Sequence, residues 1–173
     1  MKNFLAVIGG IVVGFFVLMI IVYVSNNANT PGGISLFGNE TPVHSTPRPQ
    51  TATQIANRIT ASMEKSSPGE FSSEYDELES LYKVSMWSGY TREDIETLQS
   101  GLGLDRWDSS CEQIIGLCDD MQHIFDNNGH PEVTVVLSLV DPEDHDTVFA
   151  TAARGVIGYD VVKGIDLKNK SEA

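Results

Sequence analysis

Three sets of residues in this 173-residue chain have the types and spacing that chemistry needs. Asp119 and His123 stand four apart, so on a helix a carboxylate lies beside an imidazole, the arrangement of a general base or of half a metal site. A third ligand would have to come from His130 or His145, and pairs at this spacing are more often solvent-facing contacts along a helix. Asp141, Glu143, Asp144, His145 and Asp146 place four carboxylates and an imidazole within six residues, and oxygen-rich loops of this kind hold hard cations such as calcium. The EF-hand spacing and its glycine are absent, and Pro142 restricts how the loop curls, so capping of a helix start by acids or a solvated loop is the plainer reading.

The third set is Cys111 and Cys118, seven apart. On a regular helix that is two turns, about 10.5 Å along the axis, which is too far for a disulfide. They fall in register with Trp107, Ile114, Met121 and Phe125 and read as small hydrophobes on a core face, unless a break at Gly116 lets them pair. There is no His-Glu-x-x-His helix, phosphate loop or nucleophile elbow. Arg154 to Gly158 carries two glycines without phosphate-loop spacing and reads as a turn. The expectation is a chain without a catalytic constellation and without a cofactor, with metal at Asp119, His123 and the 141–146 loop as the alternative.

The elements that must position these residues begin with a membrane segment. Phe4 to Val24 has no charged side chain, and a helix of that length matches a hydrocarbon core of roughly 30 Å. It is too long for the apolar region of a cleaved signal peptide, and Ser25-Asn26-Asn27-Ala28 is a poor cleavage site, so an uncleaved signal anchor is expected. Lys2 is the lone basic side chain before Arg48, which places residues 1–3 in the cytoplasm and the remainder outside it. Ala6, Gly10 and Gly14 recur every four residues, a face on which a second helix can approach closely. Residues 25–50, rich in Asn, Thr, Pro, Gly and Ser, read as a flexible tether.

Beyond the tether, 51–168 reads as an acidic soluble domain and 169–173 as a tail. The chain has 24 acidic residues against 11 basic ones and a net charge of -13. Scattered single cations on such a chain close off nucleic acid as a partner, because phosphate binding needs clustered Lys and Arg. A lipid bilayer through 4–24, and a protein partner or self-association, are the expected contacts.

Within the domain, a Ser or Thr followed three residues later by a side chain able to reach back marks four helix starts. Thr51 with Gln54 opens a helix to Lys65 with Ala52, Ile55, Ala56, Ile59 and Met63 on one face. Ser67 with Glu70, and Pro68 behind it, predicts a second helix to Met86 carrying Phe71, Tyr75, Leu78 and Tyr82. Thr91 with Asp94 opens a short third, and Ser109 with Glu112 a fourth running to Phe125. Val133 to Val140 is β-branched and apolar enough for a buried strand, and the alternation from Ile157 to Leu167, interrupted at Lys163, predicts another. Between them, Asp141-Pro142-Glu143-Asp144 and the helical face of Val148, Phe149, Ala152, Ala153 and Val156 favour a crossover helix over a hairpin returning through Thr147 to Ala153. The predicted fold class is therefore a single N-terminal transmembrane helix plus a small α+β domain, α-rich with about four helices and a small C-terminal sheet.

Overall fold

A computed structural model of the chain describes residues 49–167. The predicted membrane helix at 4–24, with Ala6, Gly10 and Gly14, and most of the tether lie outside the described residues. Within them no helix is long and apolar enough to cross a membrane. The elements in chain order are α1 (Ala52–Ser66), β1 (Phe71–Asp76), β2 (Leu81–Trp87), α2 (Arg92–Gln99), α3 (Leu104–Asn127), β3 (Thr134–Val140), β4 (Val148–Ala153), β5 (Val156–Asp160) and β6 (Ile165–Asp166).

The α-rich fold class is overturned: among the described residues three helices accompany a six-stranded mixed sheet whose spatial order follows the chain from β1 to β6. Only β2 and β3 pair in parallel, and α2 and α3 make the crossover between them, as parallel neighbours require. Every other neighbouring pair is antiparallel.

The predicted second helix is a β-hairpin. Ser67 is the C-cap of α1, and Ser67-Pro68-Gly69-Glu70 is a turn closed by Glu70 N to Ser67 O at 3.2 Å, with Gly69 at φ 71°. Proline at the second position and a left-handed glycine at the third define a type II turn, so the Ser67–Glu70 pair terminates a helix and starts none. At the far end of β1, Asp76 Oδ1 accepts from the amides of Leu78 and Glu79 at 2.9 and 3.1 Å, an Asx turn that reverses the chain into β2.

The predicted crossover helix after β3 is a strand. β4 returns antiparallel to β3, and Arg154-Gly155, both at positive φ, make the two-residue turn into β5. The reason lies in α3. Ala150 and Ala152 are buried beneath it, facing Leu139 and Leu137 across the sheet, and their small side chains let the helix approach the strand closely. The alternating stretch from Ile157 also splits, because a turn through Lys163 and Gly164 divides β5 from β6.

The helix starts at Thr51 and Thr91 are reciprocal capping boxes as expected. α3 instead begins at Leu104 behind Gly103, one and a half turns before the Ser109–Glu112 pair. Its core stripe is the expected one: Trp107, Cys111, Ile114, Cys118, Met121 and Phe125 are buried against Tyr82, Val84, Val135 and Leu137 of the sheet. The ring of Phe125 packs on Tyr82 and Tyr75 at 5.6 and 6.4 Å between centroids. Phe125→Ala is expected to cost about 3 to 5 kcal/mol, read as a lower urea midpoint with an unchanged denaturant slope.

Candidate functional site

The two parallel strands end side by side, and the C-terminal ends of parallel strands are where open α/β sheets place their sites. Ser88, just past β2, donates its amide to Val140 O at 2.9 Å, so α2 and the β3–β4 loop emerge from neighbouring positions. Arg92, the first residue of α2, reaches across to that loop. Its Nε donates to Asp141 Oδ2 at 3.0 Å and its Nη2 donates to Thr147 Oγ1 at 2.9 Å and to Asp144. The candidate cation loop thus holds a cation already, supplied by the protein.

The remaining loop contacts are internal. Asp141, 2% exposed, accepts the amide of Glu143 at 2.9 Å, and Asp144 accepts the Thr147 hydroxyl at 2.8 Å and the Asp146 amide at 3.2 Å. Those hydrogen bonds, backed by Arg92, hold the carboxyl groups of Asp141 and Asp144 below their ordinary range. Glu143 and Asp146 take part through their amides and not their carboxylates, and the exposed ring of His145 lies against Trp87 at 4.5 Å between centroids, tilted by 47°.

Asp119 and His123 do share a helix, but the structure brings neither to the acidic loop. Asp119 lies under the β4–β5 turn, where a Cβ added to Gly155 would stand 3.3 Å from its Oδ2. His123 is exposed, and its charge acts on Asp120, whose carboxyl is nonetheless raised because burial outweighs the imidazole. Among the described residues no group of three or more His, Cys, Asp or Glu side chains is placed to hold a metal ion.

The cysteines are free and buried on an unbroken α3. Burial, with the Asp160 carboxylate beside it, pushes the Cys111 thiol up to about 12, and burial pushes Cys118 up to about 11. Neither forms thiolate at neutral pH, so neither is a nucleophile there. Asp160 is 1% exposed and fully engaged: both carboxylate oxygens accept from Trp107 Nε1 at 3.1 Å, and Oδ1 also accepts the amides of Val162 and Lys163 at 2.9 and 3.0 Å. A buried carboxylate satisfied on this scale joins α3 to the β5–β6 turn, a structural use of the group.

What the sequence did not disclose is the second face of the sheet. α1 and α3 contact each other and the strands from one side, so the alternate strand positions face away from them. Partners in register carry a row of hydroxyls across that face: Ser72, Ser85, Ser138, Thr151 and Tyr159, ending at Asp166. Beside it run Lys83, Val136, Ala153 and the exposed Val156. From β2 to β5 no open-face position is acidic, although the chain has 24 acidic residues; Lys83 stands there, and Arg154 folds onto Thr134 Oγ1 at 2.8 Å. This central part of the face differs in charge from its flanks, where Glu74 of β1 stands opposite Lys83 and Asp166 of β6 opposite Tyr159. No local motif announces it, because it exists only once six strands are in register.

Two substitutions test these assignments. Asp160→Ala strands an indole N–H and two amides and should cost about 2 to 4 kcal/mol; a loss under about 1 kcal/mol in urea unfolding would mean that water replaces the carboxylate. Asp141→Asn should lower the melting temperature at neutral pH. Because the native carboxyl is held below its ordinary value of 3.8, its contribution is present above that value and lost as pH falls through the native one. The gap between variant and parent should therefore close in acid. Comparison of the chain with family models, with curated proteins and with solved structures returns no match.

Proposed function

We propose that this chain is a membrane-anchored, non-enzymatic interaction or assembly protein that presents its acidic domain outside the cytoplasm, with the open face of the sheet as its contact surface. The observation that carries the reading is the one-sided cover of the sheet. Open-face positions of β2 to β5 combine small hydroxyls with Val136, Ala153, Val156 and Trp87 and lack the acidic side chains found elsewhere. A surface with few charges and little side-chain entropy to lose is suited to docking another protein. The 21 residues from Phe4 to Val24 support the anchor, and Lys2 supports the orientation.

The alternative, a metal-dependent enzyme or ligand-binding domain at Asp119, His123 and residues 141–146, has the Arg92 guanidinium against it. A metal ion in the loop would have to displace a cation already bonded to Asp141 and Asp144.

Brief crosslinking of the full-length protein followed by extraction in mild detergent tests the proposal. A protein partner, or a second copy, is expected to be retained by the parent and weakened about tenfold or more by Val136→Glu or Thr151→Lys, with melting temperatures verifying that the variants fold. Capture that survives both substitutions but is lost with Gly10→Ile, Gly14→Ile would move the contact into the membrane helix and overturn the role of the sheet. Turnover of a defined substrate by the purified chain would overturn the non-enzymatic reading.

A further inference from the structure

His130 lies in the loop between α3 and β3, and its ring is held at both nitrogens. Nδ1 is 2.9 Å from Glu132 Oε1 and Nε2 is 2.8 Å from the carbonyl oxygen of Gln50, 80 residues away in sequence. A carbonyl and an ionised carboxylate can only accept hydrogen bonds, and a neutral imidazole has one donor and one acceptor. Both contacts are hydrogen bonds only when both nitrogens carry protons, that is, in the imidazolium form.

The far side of the same peptide group is held as well. Gln50 C=O and Thr51 N–H belong to one peptide plane, and Thr51 N donates to Gln54 Oε1 at 3.0 Å in the capping box of α1. That plane is where the N-terminal part of the chain enters the domain. His130 itself is fixed from behind by its backbone amide, which donates to Phe125 O at 3.0 Å.

We propose that His130 is a proton-operated latch on the entry of the chain into the domain: charged, it clamps the Gln50 carbonyl to Glu132 and the α3–β3 loop, and neutral, it lets the Gln50 carbonyl go. Gln50 is the partner released because the charge-assisted bond to Glu132 retains the remaining proton on Nδ1, which turns the Nε2 lone pair toward the carbonyl oxygen. The charge at the ring favours the closed state: Glu132 is bonded to it and its field acts on the imidazole. On the β1 side the same carboxylate acts on the Tyr75 hydroxyl, together with Glu77 and Asp76. The last turn of α3 carries Asp126, whose carboxylate accepts from Gln122 Nε2 at 2.9 Å. The Gln50 carbonyl and Glu132 raise the imidazole above its ordinary 6.5, against a smaller opposing effect of burial. The sign follows: the contribution is fully present below 6.5 and is lost as pH rises through the higher native value.

The test uses the full-length chain in detergent micelles with labelled histidine, of which there are four, and a labelled Thr51 amide. The expected result is a His130 midpoint above 6.5, an Nδ1–H tautomer after deprotonation, and a Thr51 amide shift with the same midpoint. Exchange of the amides at the start of α1, corrected for intrinsic rate, should rise about tenfold across that midpoint as one charge-assisted hydrogen bond is lost. Glu132→Gln should lower the midpoint and remove the tautomer preference, and His130→Gln should make the Thr51 shift independent of pH between about 5.5 and 8.5. A midpoint at or below 6.5, an Nε2–H tautomer, or a Thr51 amide that ignores the His130 titration would each overturn the latch, and the Glu132 variant keeps the test decisive if His130→Gln does not fold.

Discussion

One helix laid across the middle strands is the constraint from which the rest of this domain follows. α3 covers β3, β4 and the start of β5 with a stripe running from Trp107 to Phe125. A sheet this wide can hide only one face beneath a single long helix and its neighbours. The strands therefore segregate their residues by parity, with Tyr82, Val84, Val135, Leu137, Ala150 and Ala152 inward and hydroxyls, Lys83 and Val136 outward. The same packing makes the parallel pair possible, because α3 is also the return path from β2 to β3. Asp160 then ties the free end of the meander back to the start of α3 through Trp107, so both ends of the helix are anchored by contacts distant in sequence.

What the sequence made legible is what is decided within a few residues. The capping boxes at Thr51 and Thr91 are local hydrogen bonds, and the core stripe of α3 is a spacing of three and four. Where local signals compete, tertiary context chose. Phe71, Tyr75, Leu78 and Tyr82 fit a helical period, yet Tyr82, Val84 and Met86 also fit a period of two, and the turn at Pro68-Gly69 decides between them. Leu78, placed on the helix face by that reading, is 99% exposed at the hairpin tip. In β4 the alanines that argued for helix are there for clearance beneath α3.

The candidate sites follow the same division. Asp141 and Asp144 were visible as acids, but Arg92 stands about fifty residues earlier and nothing local connects it to them. His130 was visible as a histidine, and its bond to Gln50 was not, since the two stand 80 residues apart. The open face could not be read at all, because its hydroxyl row is assembled from one residue of each of five strands.

The edges of the sheet bear on what happens when many copies are crowded together. An unpaired outer strand is a template for a neighbouring chain, and cross-strand growth between identical molecules is a route to aggregation. Here one edge is β1, with exposed Ser72 and Glu74 and an acidic turn after it, and the other is β6, two residues long. Joining two β1 edges would set carboxylate against carboxylate, and β6 offers too little backbone to pair. The molecule can thus gather at high local density without fusing its sheets with those of its neighbours.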